Sequence, residues 1–218
     1  MHITFRIVDS DEIGHAHKWH TDFAAMHSAI YPRTFETFQD LVWDRSVWCA
    51  VMDDGTFVGM SYAHFDAGQH EWEIGGLMVD DTARGKGLGA ILMRLPLIHM
   101  LLNEDPLALA RKPTIVTHVL AGNQAPRRII PEAGFAFQKS VKIPGHVLPG
   151  LPTDDEGFVN GDEFHLAIPD ALDGLANWCE AWNGQLRDGT AAHVDMRGSE
   201  TLALWAEALR DMALRARA

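Results

Sequence analysis

Cysteine and tyrosine are both scarce in this chain of 218 residues, with two of each. Two thiols, Cys49 and Cys179, cannot build a disulfide framework and lack metal-ligand spacing. Each follows a tryptophan, and both read as buried thiols in a reducing compartment. No run approaches the roughly 18 apolar residues that a membrane-spanning helix needs. The opening residues, Met1-His-Ile-Thr-Phe-Arg6, pass directly into strand-like alternation rather than the basic-then-apolar order of a secretory leader. A cytoplasmic protein without a membrane partner is therefore expected. Positive charge is short as well: 18 Lys and Arg against 30 Asp and Glu give a net charge of −12, which opposes nonspecific binding to nucleic acid or anionic membrane. What remains is an ordinary folded composition, 47% hydrophobic and 22% charged, long enough for one large domain with or without an appendage.

The charge is unevenly distributed. Between Arg84 and Ile130 lie Arg84, Lys86, Arg94, Arg111, Lys112, Arg127 and Arg128 against Glu104 and Asp105 alone, a net of +5, which leaves −17 for the remainder. A basic island in an acidic chain suggests a small polyanion held in one place and a cationic partner arriving from elsewhere. Chance clustering of solvated charge stays open as the alternative.

Periodicity divides the chain into an α/β region to about Pro169 and a helical remainder. Strands fit Ile3–Val8, Ser46–Met52, Phe57–Phe65, Glu71–Val79 and Thr114–Leu120, with a further strand opened by Phe135 and a last one at Glu163–Ile168. Helices fit Ile13 to Ile30, ended by Tyr31-Pro32, then Thr34–Trp43, Leu88–Leu102 and about Gln124–Ala133. Pro96 should kink the long helix or displace its second half, and Pro131 should distort the short one. Pro144–Gly161 reads as a long loop. From Pro169 onward the pattern is purely helical, with apolar faces through Leu172, Leu175, Trp178, Cys179 and Trp182, and through Leu202, Leu204, Trp205, Leu209, Met212 and Leu214. The expected layout is residues 1–168 as one domain and 169–218 as a helical hairpin, packed on the core or forming the seam of a homodimer.

Asp80-Asp-Thr-Ala-Arg84-Gly-Lys-Gly-Leu-Gly-Ala90 falls between a strand and a helix. Glycines there let backbone N–H groups approach an anion, and the helix N-terminus adds the positive end of its dipole. No Gly-Lys-Ser/Thr follows, which excludes a nucleotide P-loop. The dinucleotide fingerprint is met only in the loose form Gly85-x-Gly87-x-x-Ala90, in a poor context. Arg84-Gly-Lys-Gly-Leu-Gly89 resembles the Arg/Gln-x-x-Gly-x-Gly/Ala signature of the GNAT acetyltransferase superfamily. Glu73-Ile-Gly-Gly-Leu-Met-Val79 resembles the strand that precedes this loop in that family, and Asn123 followed by Ala133-Gly-Phe135 resembles its next motif. The specific motifs lie between Glu71 and Phe135; element order agrees over about residues 1–168.

The resemblance implies a mixed, mostly antiparallel sheet flanked by helices, with the third and fourth long strands splayed at a bulge that Gly75-Gly76 would form. It implies acetyl-CoA as donor, its diphosphate on the N–H groups of Arg84, Gly85, Lys86, Gly87, Leu88, Gly89 and Ala90, its arm beside Leu77, Met78, Val79 and Asn123, and no metal. The N–H of Leu77 would polarise the thioester carbonyl. Glu73 falls where family members that acetylate lysines carry a catalytic glutamate, and partial burial would raise its pKa and make it a better base; Glu71 could relay through water. Many members carry a tyrosine acid seven residues after the asparagine. Here that residue is Ile130, so the acid would be Tyr31, Tyr62 or solvent.

His15, His17 and His20 invite a zinc reading that their helical spacing does not favour, and His118 and His165 could border the acceptor channel. Asp11, Glu12, Asp22, Glu36, Asp40, Asp154, Asp155 and Glu156 would form an acidic rim suited to a small cationic amine or a peptide or protein amine. The expected activity is direct acetyl transfer to a primary amine in a ternary complex. The alternative is an acyl-CoA-binding sensor or scaffold without turnover.

Overall fold

The computed structural model describes residues 2–103, 114–148, 150–168, 170–196 and 198–217. Arg111, Lys112, Glu104 and Asp105 of the basic island lie outside them. The elements in chain order are β1 (His2–Ile7), α1 (Ile13–Met26), α2 (Phe35–Trp43), β2 (Val47–Met52), β3 (Phe57–Asp66), β4 (Glu71–Val79), α3 (Leu88–Asn103), β5 (Thr114–Leu120), α4 (Gln124–Ile129), β6 (Phe135–Pro144), β7 (Phe158–Leu166), α5 (Asp170–Ala181), β8 (Ala191–Asp195) and α6 (Leu202–Arg217). The strands form one sheet in the order β6-β7-β5-β4-β3-β2-β1-β8. Pairing is parallel at β1–β8 and β4–β5 and antiparallel elsewhere.

Strand alternation sorts the apolar residues into two cores. Val47, Cys49 and Val51 of β2 join Phe23 of α1 and Phe38 and Leu41 of α2 on one face. Trp48 and Ala50 point the other way, toward α3 and the C-terminal helices, where Leu172, Leu175, Trp205 and Leu209 share a cluster with Leu92 and Leu95. α3 is thus covered by the sheet on one side and by helices on the other, which is why its buried positions surround the axis.

Pro96 sits inside α3, and the helix continues past it to Asn103. Proline lacks the N–H that Leu92 would otherwise accept four residues back. Ser61 of β3 fills the vacancy: its hydroxyl donates to the Leu92 carbonyl at 2.5 Å in a buried position. A Ser61→Ala variant leaves that carbonyl unsatisfied and is expected to lose about 1–3 kcal/mol of stability, read from the denaturant midpoint.

Three expectations are corrected. α1 stops at Met26, not Ile30, because its buried stripe of Ile13, Ala16, His20 and Phe23 runs out and Met26 is exposed. The Pro144–Gly161 loop is shorter than expected, since β7 begins at Phe158, opposite Pro144. The segment after Pro169 is not purely helical: β8 lies between α5 and α6 and pairs with β1, burying Ala192 and Val194. Pro131 ends α4 and opens a 3-10 turn that closes at Gly134, where φ is +94°.

Candidate active site

β4 and β5 pair only from Glu71 with Thr114 to Glu73 with Val116. Beyond Glu73 the two strands part. On its other edge β4 is bulged, because Tyr62 pairs with Gly75 while Met60 pairs with Met78, so Gly76 and Leu77 together oppose Ser61. Gly76 takes φ +59°, and a Cβ there would lie 2.0 Å from the Tyr62 ring, so that ring needs a bare backbone beneath it. The gap opens into two lobes of about 540 Å³ and about 910 Å³ that share Leu77 and Asn123 in their walls.

The larger lobe is bounded by Val79, Arg84, Gly85, Gly87, Leu88, Gly89 and Ala90, with Arg128 and Arg187. Asp80 fixes the approach by accepting from the Thr82 N–H at 2.9 Å. Gly85 and Gly87 follow with φ of +79° and +95°, which leaves the N–H groups of Gly85, Lys86 and Gly87 without an acceptor among the described residues. The two ends of the expected cradle differ. The Arg84 N–H donates to Asp81 O at 3.4 Å and the Ala90 N–H to Gly87 O at 3.2 Å, because each closes a turn. The Arg84 guanidinium lies 2.8 Å from Asp81.

The Met78 side chain lines neither lobe: it is fully buried in the core under α1 and α2, on the opposite face from Leu77 and Val79. The basic island is partly structural. Arg94 is buried and donates to Ala90 O and Glu132 O at 2.8 and 2.7 Å, stitching α3 to the turn after α4, while Arg127 is paired with Asp162. Lys86 lies 3.7 Å from Asp188. In their place Arg187, in the turn before β8, reaches the lobe: its N–H donates to Lys86 O at 3.0 Å. Sequence reasoning missed it, since nothing in the spacing ties residue 187 to residue 87.

The smaller lobe holds Glu73, Tyr62, Tyr31, Arg33, His64, His118 and Ile130. His118 Nδ1 lies 3.1 Å from Glu73 Oε1, and its Nε2 lies 3.5 Å from Glu163. Glu163 in turn meets His165 at 2.6 Å and Lys139 at 3.2 Å. A line of titratable groups therefore crosses β4, β5, β7 and β6. Burial pushes the Glu73 carboxyl up, but the His118 hydrogen bond and the charges of His118, Arg33 and His64 outweigh it and leave the pKa below the ordinary glutamate value. This reverses the expected rise. The Glu73 hydrogen bond raises His118 above the ordinary histidine value against the effect of burial.

Tyr62 enters the lobe as one of the two tyrosines weighed above, with its Oη accepting from Arg33 Nε at 3.1 Å. Burial raises its pKa. Ile130 lines the lobe and is 1% exposed. Glu71 does not line it. Nor does the expected acidic rim: Glu12 is tied to Arg6, Asp22 to Lys18, and Glu156 and Asp154 to Lys142. His17 contacts Arg33 O at 3.0 Å, and burial pushes His20 down to about 4. No group of three or more residues able to hold a metal ion occurs among the described residues, and none of their helices is long and apolar enough to cross a membrane.

A sheet parted at one bulge, with unbonded amides at the mouth of the gap and a carboxylate–imidazole pair at its apex, defines an α/β protein whose cleft fits an extended anionic ligand. Residues 16–101 match the model of the Acetyltransferase (GNAT) family. No curated protein matches the sequence. The fold is similar to that of a ribosomal-protein-alanine N-acetyltransferase from Brucella melitensis, at 18% identity over 75% of this chain and 99% of that one, TM-score 0.53. It is similar to yncA, a putative acetyltransferase from Salmonella typhimurium with its cofactor acetyl-CoA, at 18% identity over 76% and 94% of the two chains, TM-score 0.52. Arabidopsis thaliana NAA60 in complex with a bisubstrate analogue gives 18% identity over 75% and 96%, TM-score 0.51.

Proposed function

We propose that the protein is an N-acetyltransferase that moves an acetyl group from acetyl-CoA to a primary amine by direct transfer in a ternary complex. The observation that carries this reading is the split between β4 and β5, with free loop amides at one end and Glu73–His118 at the other. The N–H groups of Gly85, Lys86 and Gly87 and the positive N-terminus of α3 suit a diphosphate, and Arg128 and Arg187 add charge beside them. Acetyl-CoA, when bound, supplies a thioester whose C–S bond breaks as the amine nitrogen bonds to its carbonyl carbon, with CoA leaving as the thiolate. Leu77, within the bulge, is the residue whose N–H polarises the thioester carbonyl. Glu73 and His118 together accept the proton that the amine loses. Ile130 offers no donor at the tyrosine position of many relatives, so the thiolate takes its proton from water. Two buried free thiols suit a reducing compartment such as the cytoplasm.

Release of free thiol from acetyl-CoA across a panel of primary amines tests the reading, with release dependent on both components as the expected result. The buried Ile130 favours a second reading, a sensor that holds acyl-CoA without turnover. Tight acetyl-CoA binding with no thiol release for any amine would decide for it.

A further inference from the structure

The charged groups of the smaller lobe are satisfied within the protein with one exception. Glu73 is engaged by His118 at 3.1 Å. Asp66 accepts from the N–H groups of Gly68 and Gln69 at 2.7 and 3.1 Å. Lys142 is paired with Glu156 and, at 3.3 Å, with Asp154. Arg33 has no carboxylate within ion-pair reach among the described residues. Its Nε donates to Tyr62 Oη at 3.1 Å, while Nη1 and Nη2 bond to no described residue. The guanidinium is held in place nonetheless, 5.3 Å from the Tyr31 ring centroid and 5.2 Å from that of Tyr62. It is close enough to Glu73 for each charge to act on the other's pKa, yet the two do not pair.

A half-buried arginine, fixed by two aromatic rings, keeps a planar fork of donors open to the cavity. That fork matches a carboxylate in bidentate geometry. A polyamine would bring further positive charge toward it and gain no partner. We infer that the acceptor is a primary amine that also carries a carboxylate, an amino acid or an acidic peptide N-terminus, with Arg33 gripping the carboxylate while Glu73 and His118 receive the amine proton. This rests on the assignment of the smaller lobe to the acceptor, and it narrows the small cationic amine or peptide or protein amine that composition suggested.

Matched pairs test it: lysine against 1,5-diaminopentane, and phenylalanine against 2-phenylethylamine, with a peptide beginning in Asp against one beginning in Asn to separate peptide from free amino acid. The expected result is that the carboxylate-bearing member of at least one pair is preferred by about 10- to 100-fold in kcat/KM, from the loss of one charge-assisted contact. In Arg33→Ala that preference should collapse toward unity, with the loss carried by KM, and Arg33→Lys should restore part of it. A purely structural role would lower both members of a pair together and leave the ratio intact. Equal or faster turnover of the decarboxylated amines by the unaltered protein would overturn the inference while leaving acetyl transfer standing. Calorimetric titration of the CoA-bound protein with the same amino acids and peptides reads carboxylate binding without turnover. Arg33-dependent binding without thiol release would support the carboxylate site and remove the transferase reading, whereas no binding and no release would remove both.

Discussion

Glu73→Gln is expected to lower kcat/KM for amine acetylation by about 100- to 10,000-fold, the range of a positioned general base, while acetyl-CoA affinity changes little. The substitution keeps the shape of the side chain and an acceptor for His118 Nδ1–H, so the packing around β4 and β5 is preserved. What it removes is the negative charge that holds the imidazolium and, in the proposed mechanism, draws the proton off the amine. Because burial and His118 act in opposition on this carboxyl, with His118 and the nearby cations prevailing, Glu73 is ionised at neutral pH. It is also, alone, a weak base. Its strength as an acceptor comes from sharing the proton with His118, whose pKa Glu73 itself raises. Activity is therefore expected to fall as pH drops through the raised His118 value, above 6.5. In Glu73→Gln the residual activity should show that limb displaced to lower pH. With the acceptor held constant, ionisation of the amine is common to both enzymes, so the displacement reports His118. A limb unmoved by the substitution would detach His118 from the chemistry.

The same pair makes a signed contribution to stability. His118, raised in the fold, contributes fully below its ordinary 6.5, and the contribution is lost as pH rises through its folded value. Glu73, lowered in the fold, contributes fully above its ordinary 4.5 and loses this as pH falls through its folded value. Both contributions are complete only between about 4.5 and 6.5, so the difference in melting temperature between the native protein and Glu73→Gln should be greatest in that window.

β4 was legible to the residue because Glu71–Val79 stands between the turn at Asp66-Ala-Gly68 and the Asp80 cap, and its glycine pair announced the bulge that Gly76 and Leu77 make opposite Ser61. The loop glycines were legible for the same local reason. Alternation also turns the Met78 side chain away from those of Leu77 and Val79, so it enters the core rather than the cleft. β8 was hidden because five alternating residues between two amphipathic helices carry little signal, and only pairing with β1, far away in sequence, makes them a strand. His118 was in view as a residue bordering the channel, but its partnership with Glu73 was not: the two are 45 positions apart, and the direction of the Glu73 pKa depends on that contact. Arg33 and Arg187 share the difficulty, since a loop residue and a turn residue acquire meaning only from the cleft they enter. Composition misled at one point: of the expected acidic rim, Glu12 and Asp22 are spent on Arg6 and Lys18, and Asp154 and Glu156 on Lys142 at the wall of the smaller lobe.

Gly87→Leu is expected to weaken acetyl-CoA binding by at least about 100-fold, equivalent to losing one or two charge-assisted hydrogen bonds, with the fold retained. Gly87 occupies φ +95°, where an L side chain costs on the order of 1–2 kcal/mol. A Cβ there would also lie 3.2 Å from Cγ and 3.4 Å from Cδ of Arg187, and Arg187 donates its own N–H to Lys86 O. A side chain at 87 is thus expected to twist the Lys86 and Gly87 amides proposed to hold the diphosphate and to displace the arginine beside them. Gly85 is the internal comparison. Its φ of +79° carries the same backbone cost, but a Cβ there meets nothing within 4 Å. Gly85→Ala should accordingly weaken binding less than Gly87→Ala, and Gly87→Leu should be the weakest of the three in calorimetry. If all three bind acetyl-CoA as the native protein does, the diphosphate is not held by the amides of Lys86 and Gly87, and the larger lobe serves some other ligand.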